Sequence, residues 1–254
     1  MTCRVVQLTD CHLFADPQEA LRGVVTWPRF VAALVDIRRR VPDCQWLIIT
    51  GDLTHDESRA AYQAVRRELG DWVDRVRVIP GNHDDRPLLG ELFPQGDTGP
   101  EGRQTFAVSA SGWQLIGLDA QIPGKLPGEL GEAQRSWLQG QLERSPRPTL
   151  LFVHHPPIPV GSPWLDVIGL QDARELGELL RRFPQVRLVA CGHVHQELAG
   201  SLGSATVLTT PAVGPQFRPR TAALEIDPAP PAYRVLELHS TGEWSTQVLR
   251  FREC

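Results

Sequence analysis

Two hydrophobic periods alternate along the first three quarters of the chain. Residues 4–9 read as a strand that stops at Asp10, and residues 13–26 as a loop. Phe30, Leu34, Ile37 and Val41 then recur at helical spacing. Pro28 suits the first turn of that helix, and Arg38, Arg39 and Arg40 sit near its end, where the helix dipole favours cations. The apolar run 46–50 predicts a buried strand closed by Gly51-Asp52. Ser58 opens a second helix with Tyr62, Val65 and Leu69 on its inner face, and residues 76–80 form a strand running into Gly81-Asn82-His83-Asp84. The Gly- and Pro-rich residues 85–104 predict a surface loop. Segments 105–108 and 114–118, parted by Ser-Ala-Ser-Gly, predict a hairpin ending at Asp119. A helix over 132–142 precedes the strand 149–153 and His154; Leu176, Leu179, Leu180 and Phe183 mark a further helix before the strand 186–190. Beyond it the period changes: 205–209, 221–227, 233–238 and 244–250 are strand-like with no helix between, and Pro-rich 228–231 predicts a tight loop. Strand–helix alternation followed by antiparallel strands predicts an α/β fold of two packed sheets with helices outside, as one domain over 1–254.

Composition narrows the partners. At 254 residues the chain can bury a sizeable core, and its 41% apolar and 22% charged residues are ordinary for a globular protein. A net charge of −4 argues against a nucleic-acid partner. It leaves an anionic substrate open, because bound divalent ions reverse the sign of a site locally. No apolar run reaches the ~18–20 residues of a membrane span, so no membrane partner is expected. The first strand begins at once, leaving no signal peptide in view, and five cysteines without paired spacing predict reduced thiols; both point to the cytoplasm. Monomer and homodimer stay equally open.

Four other strand ends carry cargo like that of Gly51-Asp52: Asp10-Cys11-His12, Gly81-Asn82-His83-Asp84, His154-His155 and Gly192-His193-Val194-His195. Six of the eight histidines fall within them. One Gly-Asp strand end reads as readily as a turn or helix cap; five convergent clusters imply metal ligands gathered at the carboxyl ends of strands. The candidate ligands are Asp10, His12, Asp52, Asn82, His154, His193 and His195. Carboxylate, amide and imidazole donors suit manganese, iron or zinc and, less well, magnesium. Seven are too many for one catalytic ion with open positions. They fit two ions ~3.5–4 Å apart sharing a carboxylate, the arrangement that polarises both oxygens of a phosphoryl displacement. If Asp10-x-His12 and His193-x-His195 are extended, each pair faces one side, and Cys11 faces the core.

This ordered set, from residue 10 to residue 195, resembles the signature of the calcineurin-like metallophosphoesterases. Leu13-Phe14-Ala15, Gly23-Val24-x-Thr26-Trp27, Ser162-Pro163-Trp164-Leu165-Asp166, Cys191 to Leu198 and Gln216-Phe217 are similar to the class III bacterial 3′,5′-cyclic-AMP phosphodiesterases. The resemblance implies a four-layer α/β/β/α sandwich of two mixed sheets. It assigns one metal to Asp10, His12, Asp52 and His195, and a second to Asp52, Asn82, His154 and His193, with Asp52 bridging. Iron and manganese are the expected pair, with zinc or magnesium as alternatives. The implied reaction opens 3′,5′-cyclic AMP to 5′-AMP by attack of a metal-bridging hydroxide. Asn82 and His83 are then the catalytic residues, with His83 protonating the leaving oxygen, and His12, Asp52, Asn82, His83 and His195 meet the substrate. The alternative is a broader phosphodiesterase or phosphomonoesterase, acting on 2′,3′-cyclic nucleotides or other small phosphate esters. A protein phosphatase is disfavoured because Asp52 is followed by Leu-Thr-His-Asp-Glu-Ser without the arginine of that branch. A degenerate scaffold would have lost ligands, and none is lost.

Several neighbours carry weaker expectations. His155 is expected to point away from His154, and His55 to lie near the metals or on the surface without ligating. Asp84 and Asp119 either orient ligands or cap turns. Trp164 and Phe217 are candidates for stacking on a base, with core packing as the competing role. His239 has no assigned partner.

Overall fold

The computed structural model describes residues 2–94 and 99–253. Its first five-stranded sheet is built from β1 (Thr2–Leu8), β2 (Cys44–Thr50), β3 (Val76–Ile79), β10 (Ala232–His239) and β11 (Trp244–Arg250), in the order β11-β10-β1-β2-β3. The second, of six strands, comprises β4 (Phe106–Ala110), β5 (Trp113–Leu118), β6 (Thr149–Val153), β7 (Val186–Cys191), β8 (Leu198–Leu202) and β9 (Ala205–Thr209), in the order β8-β9-β7-β6-β5-β4. Both sheets are mixed. β1, β2 and β3 run parallel, with β10 antiparallel to β1 in the register Thr2↔His239; β5, β6, β7 and β9 run parallel between antiparallel edges.

Side-chain alternation builds four layers. In β1, Cys3 and Val5 face the second sheet while Val6 and Leu8 face outward; in β2, Ile48 opposes Leu47 and Ile49. The layer between the sheets packs Ile48, Leu115, Phe152, Leu188 and Leu236, each worth roughly 1.5–3 kcal/mol on burial. Helices α1 (Thr26–Arg40), α2 (Arg59–Leu69) and α3 (Arg86–Leu92) cover the outer face of the first sheet through Phe30, Leu34, Tyr62, Val65 and Leu89. Helices α4 (Gly131–Glu143) and α6 (Ala173–Arg182) cover the second through Leu138, Leu142, Leu176 and Leu180, and the short α5 (Pro163–Asp166) lies in the loop before α6. The α/β/β/α sandwich is the expected one.

Three segments depart from expectation. Residues 86–92 of the predicted loop form α3, because Asp85 accepts from Leu88 N at 2.8 Å and Pro87 occupies its first turn. Residues 95–98 of that loop lie outside the described residues. The predicted strand 221–227 reduces to Ile226–Asp227, which pairs with Gln216–Phe217, and β8 was not anticipated. Its alternately exposed Leu-Ala-Gly-Ser-Leu is an edge strand without a strong apolar signal.

A polar seam ties the two sheets together beneath the strand ends. Gln7 Nε2 donates to Thr50 Oγ1 (2.9 Å) and to Cys191 O (3.1 Å), Thr210 Oγ1 donates to Gln7 Oε1 (2.7 Å), and buried Arg234 donates to Thr210 and Thr209. Because these groups are buried and satisfied, the seam fixes how the carboxyl ends of β1, β2 and β7 face one another. The four described cysteines are buried and free, and Cys11 packs in the outer core as expected. His239 finds a partner in Thr2 Oγ1 at 3.0 Å, and its carbonyl accepts from Trp113 Nε1.

Candidate metal centre

The ligand-bearing segments are not extended. Asp10, His12, Asp52, His193 and His195 have φ of 53°, 48°, 49°, 69° and 52°, in the left-handed region that non-glycine residues rarely occupy. Shared orientation of each i, i+2 pair thus comes from repeated left-handed turns, not from strand alternation. Such conformations cost of order 1–3 kcal/mol each and concentrate where function requires them. Backbone bonds hold them: Asp10 N donates to Gly51 O (3.1 Å) and His12 N to Asp52 O (2.9 Å). Close approach needs glycine at two places. A Cβ on Gly51 would stand 2.5 Å from His154 Nδ1, and one on Gly81 2.1 Å from Asp52 Oδ1.

Six of the seven predicted ligands fall in groups of converging donor atoms, and Asn82 lines the same cleft. Asp10, His12 and His195 place one donor atom each within 4.8 Å of one another, as do Asp10, Asp52 and His154. Asp52 sits between two sets: Oδ1 lies 3.5 Å from His154 Nε2 and Oδ2 3.6 Å from His12 Nε2. Backbone carbonyls decide the imidazole tautomers. His154 Nδ1 meets Thr50 O at 2.7 Å and His195 Nδ1 meets Pro215 O at 2.6 Å; a carbonyl only accepts, so each Nδ1 carries a proton, and in the neutral imidazole the Nε2 lone pair is the one that faces the site. His12 Nε2 faces His195 Nε2 at 3.3 Å. Asn82 Oδ1, His154 Nε2 and His193 Nε2 are buried with no hydrogen-bond partner in the structure. Unsatisfied buried groups of this kind cost about 1–3 kcal/mol each, a cost a cation removes. The donor set therefore fits the bound metals that the fold family implies.

Electrostatics agree with this reading. Burial pushes the Asp10 carboxyl up, yet His195 and His154 hold it down at about 2, and His154 likewise holds Asp52 well below the carboxylate range against burial. His154 is raised to about 9, burial being outweighed by Asp52, whereas burial drives His12 and His193 down to about 3. As a metal ligand His154 would be the neutral imidazole, so cation binding there would be coupled to loss of its second proton.

His83 is half-buried, its backbone N donates to Asp52 Oδ1 at 2.9 Å, and its ring packs 5.3 Å from His12 and 4.7 Å from His55. His55 stands close to the centre, with Nδ1 3.2 Å from His12 Nδ1, and fixes the orientation of that ring. His155 departs from expectation. The chain bends after β6, so the ring turns in beside His154 and His193, with centroids 4.9 Å and 4.6 Å away, while Nε2 bonds Leu126 O. Asp84 orients the site: it accepts from Gly81 N, Leu53 N, Thr54 N and Tyr62 Oη, and burial with nearby Asp52 raises it to about 6.

Sequence reading missed the outer brace of the Asn82–His83 turn. Buried Gln121 donates from Nε2 to Gly81 O at 2.8 Å and to Asp84 O, the carbonyls flanking that turn. Asp119 accepts from Gln121 N (2.9 Å) and pairs with Arg86 through two bonds of 2.6 and 2.9 Å. Gln121→Met keeps the volume but orphans both carbonyls. It is expected to lower turnover about 10–100-fold with the fold retained; unchanged turnover and metal content would show that Asp84 alone holds the turn.

Above the ligands opens a cleft of about 530 Å³, lined by His12, Asp52, Asn82, His83 and His195 together with an apolar rim that includes Leu126, Trp164, Ile168, Phe217 and Leu224. Phe217 stacks flat on His195 (3.9 Å between centroids, 6° between planes), and Trp164 meets Phe217 edge-on at 5.4 Å. Both aromatics therefore border the cleft while also packing the site.

These candidate ligands on this fold are those expected of a two-metal phosphoesterase. The family model for the calcineurin-like phosphoesterase matches residues 3–197, and the chain belongs to that family. It is 38% identical over 251 residues to the 3′,5′-cyclic adenosine monophosphate phosphodiesterase CpdA of Escherichia coli K12, covering 98% of this chain and 90% of that protein. It is 36% identical over 249 residues to the CpdA of Vibrio vulnificus, covering 97% and 89%. Among solved structures it is similar to a dimetal phosphatase from Danio rerio (TM-score 0.67, 16% identity, covering 98% and 99% of the two chains), a likeness of fold. The protein is an enzyme of the phosphoesterase kind. Among the described residues, no helix is long and apolar enough to cross a membrane.

Proposed function

We propose that this enzyme hydrolyses 3′,5′-cyclic AMP to 5′-AMP. Asp10, His12, Asp52 and His195 would hold one cation and Asp52, Asn82, His154 and His193 the other. The observation that carries the two-metal reading is that Asn82 Oδ1, His154 Nε2 and His193 Nε2 lack hydrogen-bond partners while the two Asp52 oxygens approach His154 and His12 separately. Iron and manganese suit these mixed donors, with zinc as an alternative. When bound, such ions activate water at neutral pH and offset charge on the phosphoryl oxygens. The protein's own groups orient and transfer. Asn82 and His83 ride one braced turn, and the His83 ring opens on the cleft where it can give its proton to the leaving 3′-oxygen. The rim of Leu126, Trp164, Ile168 and Leu224 suits an aromatic base.

The choice of adenine rests on similarity to CpdA over nearly the whole chain. The test is metal content of the purified protein, then steady-state turnover of cyclic AMP, cyclic GMP, a 2′,3′-cyclic nucleotide and an aryl phosphodiester with manganese present. Cyclic AMP is expected to be the preferred nucleotide. Fast cleavage of the 2′,3′-cyclic or aryl ester with cyclic AMP barely touched would leave the broader phosphodiesterase reading in its place.

A further inference from the structure

A small hairpin overhangs the cleft. Its arms, Ala20–Leu21 and Val24–Val25, pair antiparallel, and its turn residues Arg22 and Gly23 have φ of 53° and 81°. Two consecutive positive φ values make a primed hairpin turn, whose first position favours Asn, Asp or Gly. An arginine there is held against its backbone preference. It is nevertheless exposed, lines the cleft beside His12, Asp52, His55 and His83, and makes no hydrogen bond or ion pair with a described residue. Other arginines nearby are committed: Arg86 to Asp119, Arg103 to the carbonyls of Asp119 and Glu129, and Arg218 to Glu225.

We propose that Arg22 is a substrate contact: its guanidinium binds the phosphate of the diester at the cleft mouth, and binds a phosphomonoester product more tightly. The proposal rests on the phosphodiesterase reading and adds to it a residue that the metal chemistry does not require. A planar fork of donors matches two phosphate oxygens, and its charge draws an anion toward a chain whose net charge is −4. A diester presents one negative charge and a monoester nearly two at neutral pH, so the product gains more from the same cation. Among the described residues lining the cleft, Arg22 is the one Lys or Arg, so no neighbouring basic side chain of that lining substitutes for it.

The experiment compares wild type, Arg22→Gln, Arg22→Lys and Arg22→Gly, each loaded with manganese, on cyclic AMP and on an aryl phosphodiester, with 5′-AMP as inhibitor. Arg22→Gln is expected to raise KM about 5–20-fold and the inhibition constant of 5′-AMP by a larger factor, while kcat moves less than about threefold. The fall of kcat/KM with added salt should flatten, and Arg22→Lys should recover most of the loss. Arg22→Gly suits the turn, so it should melt no lower than wild type and still show the raised KM, which separates binding from folding. Unchanged KM and inhibition constants overturn the proposal, and so does a rise accompanied by lost metal. If cyclic AMP proves a poor substrate, the substrate reading falls while the aryl diester still tests Arg22.

Discussion

Asp52→Asn is expected to empty both metal positions together and to lower turnover by more than about 10³-fold. Its two oxygens face different partners: Oδ1 stands 3.5 Å from His154 Nε2 and accepts from His83 N, and Oδ2 stands 3.6 Å from His12 Nε2. An amide keeps one oxygen and turns an NH₂ toward imidazole lone pairs, so it opposes a shared cation pair at both ends. Each bound ion contributes several kcal/mol of charge stabilisation, and 1.36 kcal/mol is tenfold in rate. His12→Ala or Asn82→Ala removes a donor from one position alone. Elemental analysis of metal per chain, run beside turnover of cyclic AMP, tells these cases apart. Two metals per chain with near-normal turnover in Asp52→Asn would remove the bridging role.

His83→Ala is expected to do the opposite to metal and activity: both ions stay, while kcat falls about 10²–10⁴-fold, the usual worth of a positioned proton donor. The His83 ring lies outside the groups of converging metal-donor atoms, packing instead against His12 and His55. Its backbone N bonds Asp52, and a substitution preserves that contact. The diagnostic is the leaving group. An activated aryl oxygen departs with little help, so the loss on an aryl diester should be smaller than on cyclic AMP. Equal losses on both would assign the ring to holding the phosphate instead.

Much of this was legible because period and chemistry coincide. Val5 and Val6 in β1 and Ile48 and Ile49 in β2 announce strands buried on both faces, and each is followed by a carboxylate at the tip. Donor type and order then point to the centre without any knowledge of side-chain direction. What stayed hidden depends on backbone geometry that no local pattern encodes. The left-handed φ of Asp10, His12, His193 and His195 is imposed by contacts with segments far along the chain, such as the bond from His193 N to Asp10. Gln121 looks like any loop glutamine until the fold sets it against Gly81 and Asp84. The inward turn of His155 needs the bend after β6, and adjacent residues on an extended strand would have opposed each other. α3 escaped notice because three prolines and four glycines over residues 85–104 outweighed the Asp85 cap.

The strand order has a consequence for synthesis. Every candidate ligand has been translated once residue 195 is made, yet β1, which delivers Asp10, lies between β2 and β10, the latter spanning Ala232–His239. A nascent chain thus holds all the chemistry while one edge of its first strand still lacks its neighbour. Closing that edge pairs Thr2 with His239, a contact of very high sequence separation whose loop-closure cost falls late and slows folding. Until then β1 offers unpaired backbone groups to any passing strand, which makes a chain stalled or cut before residue 232 the aggregation-prone species. The last fifth of the polypeptide, which carries none of the candidate ligands, is what makes the beginning safe to expose.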